Sequence, residues 1–296
     1  MHIPVLLQPT IEKLDLRAGE TVLDATLGLG GHAKTICEKI GPTGILVGLD
    51  QDSETLEMAR QNLETYPAKK ILKVGNFRYL TDILQKAGIA QIDAVLFDLG
   101  FNSFQMDQSG RGFTFQKDEP LLMTLSGESQ SEILTAFEIV NNWSVESLTD
   151  IIYGYGEERS AKKIAAAIVA AREEGEIKTT FQLVEIIKKA LGVKGKGGRI
   201  HPATKTFQAL RITVNDELGA FKEGLSGAWD KLALGGRIAV ITFHSLEARL
   251  VKDFIRAKKE MGKLELLAKM IKPDRKEVLA NPRSRSAQLR VFKKIN

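Results

Sequence analysis

The run TVLDATLGLGGHAKTICEKIGPTGILVGLD, residues 21–50, narrows the folds open to this chain more than any other stretch. Its first seven residues are apolar enough for a buried strand, and Gly28, Gly30 and Gly31 follow at once. The spacing predicts a helix over 32–40, a turn at Gly41-Pro42, and a second buried strand over 45–49 that ends in Asp50. Strand, glycine loop, helix and strand in that order form a crossover unit of a parallel sheet. Glycines at the strand-to-helix turn let a ligand approach the backbone closely, and a helix start attracts anionic groups. A carboxylate about 20 residues past the turn commonly accepts hydrogen bonds from ribose hydroxyls. The unit is suited to a nucleoside-bearing cofactor. Gly28, Gly30 and Ala33 also satisfy G-x-G-x-x-(G/A), which nicotinamide enzymes share with glycine turns that only pack a helix on a sheet.

The alternation continues beyond Asp50. A helix is expected over 53–63 with Ser53 as cap, a strand over 70–74, a helix over 81–87, and an apolar strand over 92–99 that contains Asp98. Unalternating apolar strands between helices indicate a doubly wound α/β sheet. From 108 to 206 such strands stop. Helical patterns over 145–153, 158–172 and 180–191 replace them, with a glycine-rich basic tip KGKGGR at 194–199. The sheet resumes through helices near 207–218 and 221–232, a turn at Leu234-Gly235-Gly236, and a strand over 237–243. A helix over 246–259 precedes strands over 264–271 and 288–293, which leave no room for a crossover helix and imply an antiparallel hairpin. The division expected is a sheet domain of residues 1–107 and 207–296, with residues 108–206 inserted as a helical domain that recognises substrate.

With 296 residues, 43% hydrophobic and 27% charged, the chain is an ordinary globular protein. Its net charge of +5 and pI near 9.1 favour polyanionic partners. A single cysteine, Cys37, excludes an internal disulfide framework and a cysteine-based zinc site. No His/Asp/Glu cluster has metal-ligand spacing, so no metal is expected. No apolar run reaches membrane-spanning length and the N-terminus lacks a signal pattern, so a cytoplasmic protein without a membrane partner is expected.

Several long motifs in chain order carry a family resemblance: HIPVLL, DATLGLGGH, GNFRYL, the DLG and RGF pair, YGEERSAKKIA, RIHPATKTFQALRITVNDEL, GGRIAVITFHSLEARLVK and NPRSRSAQLR. The chain resembles, from end to end, the bacterial ribosomal RNA small subunit methyltransferase H family. The resemblance implies a class I methyltransferase fold: a Rossmann-like, mostly parallel seven-stranded sheet with a C-terminal antiparallel hairpin, carrying an all-helical insertion. It implies transfer of a methyl group from S-adenosylmethionine to N4 of a cytidine in the decoding region of small-subunit rRNA. Carried over residue by residue, the cofactor positions are Gly30, Gly31, His32, Asp50, Phe77, Asp98 and Gln105. Loop amides would meet the methionine carboxylate, Asp50 the ribose, and Phe77 the adenine face or, equally, the core.

Cytosine's exocyclic amine donates its lone pair into the ring, so an enzyme must unstack the base and align that nitrogen with the methyl group. Asp98 and Asn102 are candidates to hold the amine, with Phe101 or Phe104 stacking on the base. His244, in TFHS, is a candidate at the same rim, or a hydrogen-bonded structural histidine. Arg199, His201, Arg283 and Arg285 are candidates for RNA phosphates, with Lys205 and Arg290 nearby. The expected partner is small-subunit rRNA within the assembled subunit, and the insertion offers apolar surface for a homodimer.

The family usually reads DLGVSSPQLD where this chain has DLGFNSFQMD, and PLDMRMD where it has PLLMTLS. FHSLEDR becomes FHSLEAR, and Leu29 stands where glycine is usual. These changes crowd the acceptor side and spare most cofactor positions. Two alternatives therefore stand beside the implied reaction: methylation of another RNA, and an RNA-docking assembly factor that binds the cofactor with little turnover. A DNA amino-methyltransferase would carry (D/N/S)-P-P-(Y/F) after the fourth strand, which residues 98–101 do not.

Overall fold

A computed structural model of the chain describes residues 4–100, 106, 109–126, 133–193 and 201–296. The chain divides into two compact units, Met1–Phe101 with Leu218–Asn296, and Asn102–Glu217. Residues 207–217, expected with the sheet, therefore group with the helical unit.

The first unit opens with helix α1 (Leu7–Leu14), then alternates β1 (Thr21–Asp24), α2 (Gly31–Ile40), β2 (Ile45–Asp50), α3 (Ser53–Leu63), β3 (Lys69–Val74), α4 (Leu80–Lys86) and β4 (Ile92–Asp98). β1 pairs in parallel with β2 and β4, and β2 with β3. Asp52, not Ser53, caps α3 by accepting from the amides of Glu54 and Thr55. Leu23, Val47, Val95 and Phe97 are fully buried on one face, and Val22, Leu46, Ala94 and Leu96 on the other. Helices cover both faces, which is why these strands read as apolar runs. Each large apolar side chain buried this way contributes about 1.5–3 kcal/mol.

The helical unit holds α5 (Ala136–Asn142), α6 (Val145–Gly154), α7 (Ala161–Glu174), α8 (Thr180–Leu191) and α9 (Thr204–Asn215). Capping boxes start α5 at Thr135/Glu138 and α8 at Thr179/Gln182. α9 packs on α6 and α5, which ties it to the helical unit. The sole β pairing here among the described residues is an isolated bridge, Pro120 to Thr179.

The chain returns through α10 (Glu217–Lys231), β5 (Leu232–Thr242), α11 (Ser245–Glu260), β6 (Leu264–Ile271), α12 (Arg275–Ala280) and β7 (Gln288–Lys294). β5 is longer than the expected strand because the 234–236 turn is a bulge within it. Gly235 takes φ +82°, and the register against β4 shifts between Ile92 and Ala94. β7 runs antiparallel to both β5 and β6, giving the order β3-β2-β1-β4-β5-β7-β6. This is the seven-stranded, mostly parallel sheet with an antiparallel C-terminal hairpin that the resemblance implies.

One clasp fixes the sheet's lower edge. The buried Arg237 guanidinium donates to the carbonyls of Leu14 (2.6 Å) and Asp15 (2.7 Å) and pairs bidentately with Glu20 at 2.8 and 2.9 Å. Removing one partner of such a buried pair costs about 3–5 kcal/mol, because the other charge is left uncompensated. Among the described residues, no helix is long and apolar enough to cross a membrane.

Candidate functional site

β1, β2 and β4 are parallel neighbours, so their carboxyl ends lie side by side, each ending in an acid: Asp24, Asp50 and Asp98. Ligands of open α/β sheets bind at this edge, where the strand order reverses. The glycine loop follows β1. Gly28 (φ +53°) and Gly30 (φ +81°) take left-handed conformations, and Gly30 caps α2 without a side-chain hydrogen bond. Leu29 is tolerated where the family has glycine because its own φ is negative; its carbonyl accepts from the Asn62 amide at 3.1 Å.

Asp50 shapes the loop from the next strand. Its carboxylate accepts from the Gly28 amide at 2.9 Å and from the Asp52 amide at 2.9 Å. Each oxygen keeps a further lone pair, so it can still accept from hydroxyls. Burial pushes this carboxyl up to about 6, against the amide bonds from Asp52 and Gly28 that lower it.

Asp98 sits at the centre. Its amide donates to Thr26 Oγ1 at 2.7 Å, Oδ2 lies 3.6 Å from His32 Nδ1, and Oδ1 is buried with no hydrogen-bond partner. Burial, followed by the charges of Asp24 and Glu247, holds its carboxyl well above the usual carboxylate range. An orphaned buried acceptor is costly unless a ligand or a proton answers it.

His32 lies in the first turn of α2, past the Gly30 cap. Buried at 5% exposure, its ring bridges Asp98 and the Val5 carbonyl, which Nε2 approaches at 3.0 Å. The N-terminal segment thus lies along the start of α2. A Cβ on Gly31 would sit 2.7 Å from Pro4 Cγ, and the Leu6 amide donates to Glu277 Oε1 at 2.6 Å.

Phe77 follows β3 in a short 3₁₀ turn (Phe77–Tyr79) begun by Asn76, whose side chain accepts from the Arg78 amide. The half-buried Phe77 ring stands edge-on to Phe97 with centroids 5.7 Å apart, so it serves the core while leaving part of its surface open. Gly224 of α10 passes close behind it.

His244 stands just past β5, at the same edge, because Asp98 and Ile241 are in register. Its Nε2 is 3.1 Å from Glu247 Oε1, and Glu247 Oε2 accepts from the amides of Phe243 (2.7 Å) and His244 (3.2 Å). His244 and Glu247 therefore start α11 as a unit, with the Glu247 charge bearing on Asp98.

Asp24 was not among the residues expected here. At 1% exposure it is the deepest of the three acids, and its Oδ1 accepts from the Thr26 amide at 3.2 Å. Burial pushes its carboxyl up to about 7; the Thr26 bond opposes that and the Asp50 charge adds to it. No local signal marked it: Asp24 falls inside the run 21–27, and only the end of β1 at Asp24 sets it beside the ends of β2 and β4.

The RNA-facing candidates separate. Arg283 and Arg285 are exposed on a 3₁₀ turn (Pro282–Ser286) pinned by the buried Ser284, whose hydroxyl donates to the Asn281 carbonyl. Arg290 is instead buried in β7, where burial lowers its pKa. Within the helical unit, His201 stacks on Phe115 at 4.3 Å and its Nδ1 accepts from the Ala203 amide at 3.3 Å, starting α9. Burial, with the nearby Lys188 charge, lowers its pKa and disfavours the charged form that a phosphate contact needs. Lys205 is engaged by the Glu157 carbonyl and Glu158. Asn102, Gln105, Phe101, Phe104 and Arg199 lie outside the described residues.

The divergent stretch 120–126 is held by its neighbours in the motifs. Arg111 Nη1 donates to the carbonyls of Thr124, Leu125 and Ser126, while Asn215 accepts from the Leu125 amide and donates to the Met123 carbonyl. Its backbone path is thus set by Arg111 and Asn215, whatever its own side chains.

A family model described as the MraW methylase family matches residues 1–295. Among curated proteins, the chain is 45% identical to a protein of Symbiobacterium thermophilum, over 99% of this chain and 96% of that one. It is 42% identical to one of Syntrophotalea carbinolica, over 99% and 98%. It is 44% identical to one of Deinococcus radiodurans, over 98% and 88%. All three are named ribosomal RNA small subunit methyltransferase H.

Proposed function

The chain belongs to the MraW methylase family, and from that premise we propose that it methylates N4 of a cytidine in the decoding region of small-subunit rRNA, with S-adenosylmethionine as donor. Its relatives are named as methyltransferases of small-subunit ribosomal RNA, which supports the substrate class. The observation that carries the reading is the Asp98 carboxyl, whose Oδ1 is buried and unanswered by hydrogen bonds among the described residues, beside a glycine-capped helix start.

That arrangement fits S-adenosylmethionine. The amides at the start of α2, around Gly30, Gly31 and His32, suit a carboxylate; Asp50 suits hydroxyls, Phe77 an adenine face, and Asp98 a cationic centre. When bound, the cofactor supplies a methyl group made electrophilic by its sulfonium. The protein's part is orientation, which can contribute roughly 7–11 kcal/mol when reacting atoms are held in line. Asp98 holds the amine side of that line and His244 borders it. Asn102 and Gln105 complete the proposed set from the segment after β4. Arg283 and Arg285, and Arg199 from the helical unit, are proposed for the RNA backbone; His201, whose charged form is disfavoured, is left to start α9.

The test is methyl transfer from labelled S-adenosylmethionine to small ribosomal subunits that lack the modification, followed by nucleoside analysis. We expect N4-methylated cytidine, reduced at least about a hundredfold by Asp98→Ala. Label on another nucleoside would move the target, and cofactor binding without label would replace catalysis by an assembly role.

A further inference from the structure

Three acids end neighbouring strands, and no Lys or Arg among the described residues pairs with Asp24 or Asp98. The hydrogen bonding around His32 fixes what stands against them. A carbonyl only accepts, so the 3.0 Å contact with Val5 requires a hydrogen on His32 Nε2. In the neutral ring Nδ1 is then a lone pair, 3.6 Å from Asp98 Oδ2. A bare carboxylate and a bare ring nitrogen would set two lone pairs against each other. A proton on either atom converts that repulsion into attraction. Asp98 Oδ1, on the carboxyl's other side, is buried and has no hydrogen bond to stabilise an ionised group.

Among the described residues, titratable and charged groups face this point from several elements. They are Asp24 from β1, Asp50 from β2, His32 from α2, and Glu247 with His244 from the start of α11. The balance is acidic, and two like charges close together in a poorly solvated site cannot both ionise cheaply.

We propose that Asp24, His32 and Asp98 together hold a proton in the ligand-free protein, and that the cationic methyl donor displaces it while the neutral thioether product does not. The proposal rests on the donor reading given above. S-adenosylmethionine carries an ammonium, a carboxylate and a sulfonium, one net positive charge; loss of the methyl group leaves a thioether and no net charge. A fixed positive charge at Asp98 answers the carboxylate as the proton did, so the proton leaves. When the product occupies the same place, the proton stays. The held proton competes with the donor and not with the product, so the preference for donor over product grows as pH rises and the proton is lost, and Asp24 acts as a positioning residue through Asp98.

Isothermal titration calorimetry of the full chain near pH 7, in buffers of different ionisation enthalpy, reads proton release directly. S-adenosylmethionine is expected to release on the order of half a proton or more, since burial pushes the Asp24 carboxyl up to about 7 and Asp98 Oδ1 has no hydrogen bond to stabilise its ionised form; S-adenosylhomocysteine is expected to release none. Donor Kd should tighten as pH rises from 5.5 to 8, by up to about tenfold per pH unit for one linked proton, with product Kd nearly flat. Asp24→Asn, and separately His32→Gln, should reduce the donor's release and its pH dependence. Equal release by both ligands, or none by the donor, overturns the proposal while leaving the methyltransferase reading intact. No binding of S-adenosylmethionine at any pH sinks that reading, and this inference with it.

Discussion

An acid placed at the end of a buried strand changes how the protein responds to pH before any ligand arrives. Asp24 ionises near 3.8 in an unfolded chain and at about 7 in the folded one. The folded state thus holds the Asp24 proton more tightly than the unfolded state. Stability from this group is fully present below about pH 4 and is lost as pH rises through 7. Asp50, pushed up to about 6, adds a smaller loss of the same sign. Asp24→Asn keeps an oxygen to accept from the Thr26 amide but carries no charge. In the ligand-free protein it should therefore raise the melting temperature at pH 8 more than at pH 5. Thermal melts of both proteins across that range check this. An equal shift at both pH values would mean that the Asp24 carboxylate is well solvated or paired, contrary to its 1% exposure.

Elements place these residues, and their placement explains what the amino-acid sequence disclosed. Apolar runs bracketed by glycine and acid revealed β1, β2 and β4, so Gly30, Asp50 and Asp98 were legible: burial and turn chemistry are local signals. Asp24 was missed because its significance comes from Asp98 across the β1–β4 pairing, a contact with no local signature. Likewise, nothing near Arg237 announces Leu14 and Glu20, more than 200 positions away. Arg237→Met should lower stability by about 3–5 kcal/mol by stranding Glu20, a loss that denaturant unfolding would register. α10 offers a sharper probe of Phe77, whose core and ligand roles the chain left undecided. A Cβ at Gly224 would meet Phe77 Cδ2 at 2.7 Å and the Phe77 carbonyl oxygen at 3.0 Å. Gly224→Ala must displace the 3₁₀ turn, at a cost of roughly 1–3 kcal/mol from overpacking. If Phe77 borders adenine, the donor Kd weakens along with stability; unchanged affinity in the folded variant would confine Phe77 to the core.

At the scale of the molecule, a net charge of +5 gives a modest attraction to polyanions, and where that charge sits matters more than its sum. Arg237 and Arg290 are spent inside the sheet unit, and Lys205 and Arg211 are paired within the helical unit. Arg283 and Arg285 have exposed side chains on a turn set between two elements of the sheet unit, α12 and β7, with Ser284 buried beneath them. A rigid turn presents two guanidinium groups at little entropic cost, as phosphate recognition favours. Each phosphate contact releases condensed counterions, so losing one lowers the slope of log affinity against log salt by about 0.7 on single-stranded RNA. Arg283→Ala with Arg285→Ala should therefore reduce that slope by about 1.4. It should raise KM for the ribosomal substrate and leave kcat and donor Kd close to the parent values. Filter binding across a salt series gives the slope, steady-state methyl transfer gives KM and kcat, and calorimetry gives the donor Kd. A fall in kcat with an unchanged salt slope would instead mean that the turn supports the sheet's carboxyl edge through α12, where Glu277 holds the Leu6 amide, and does not carry RNA.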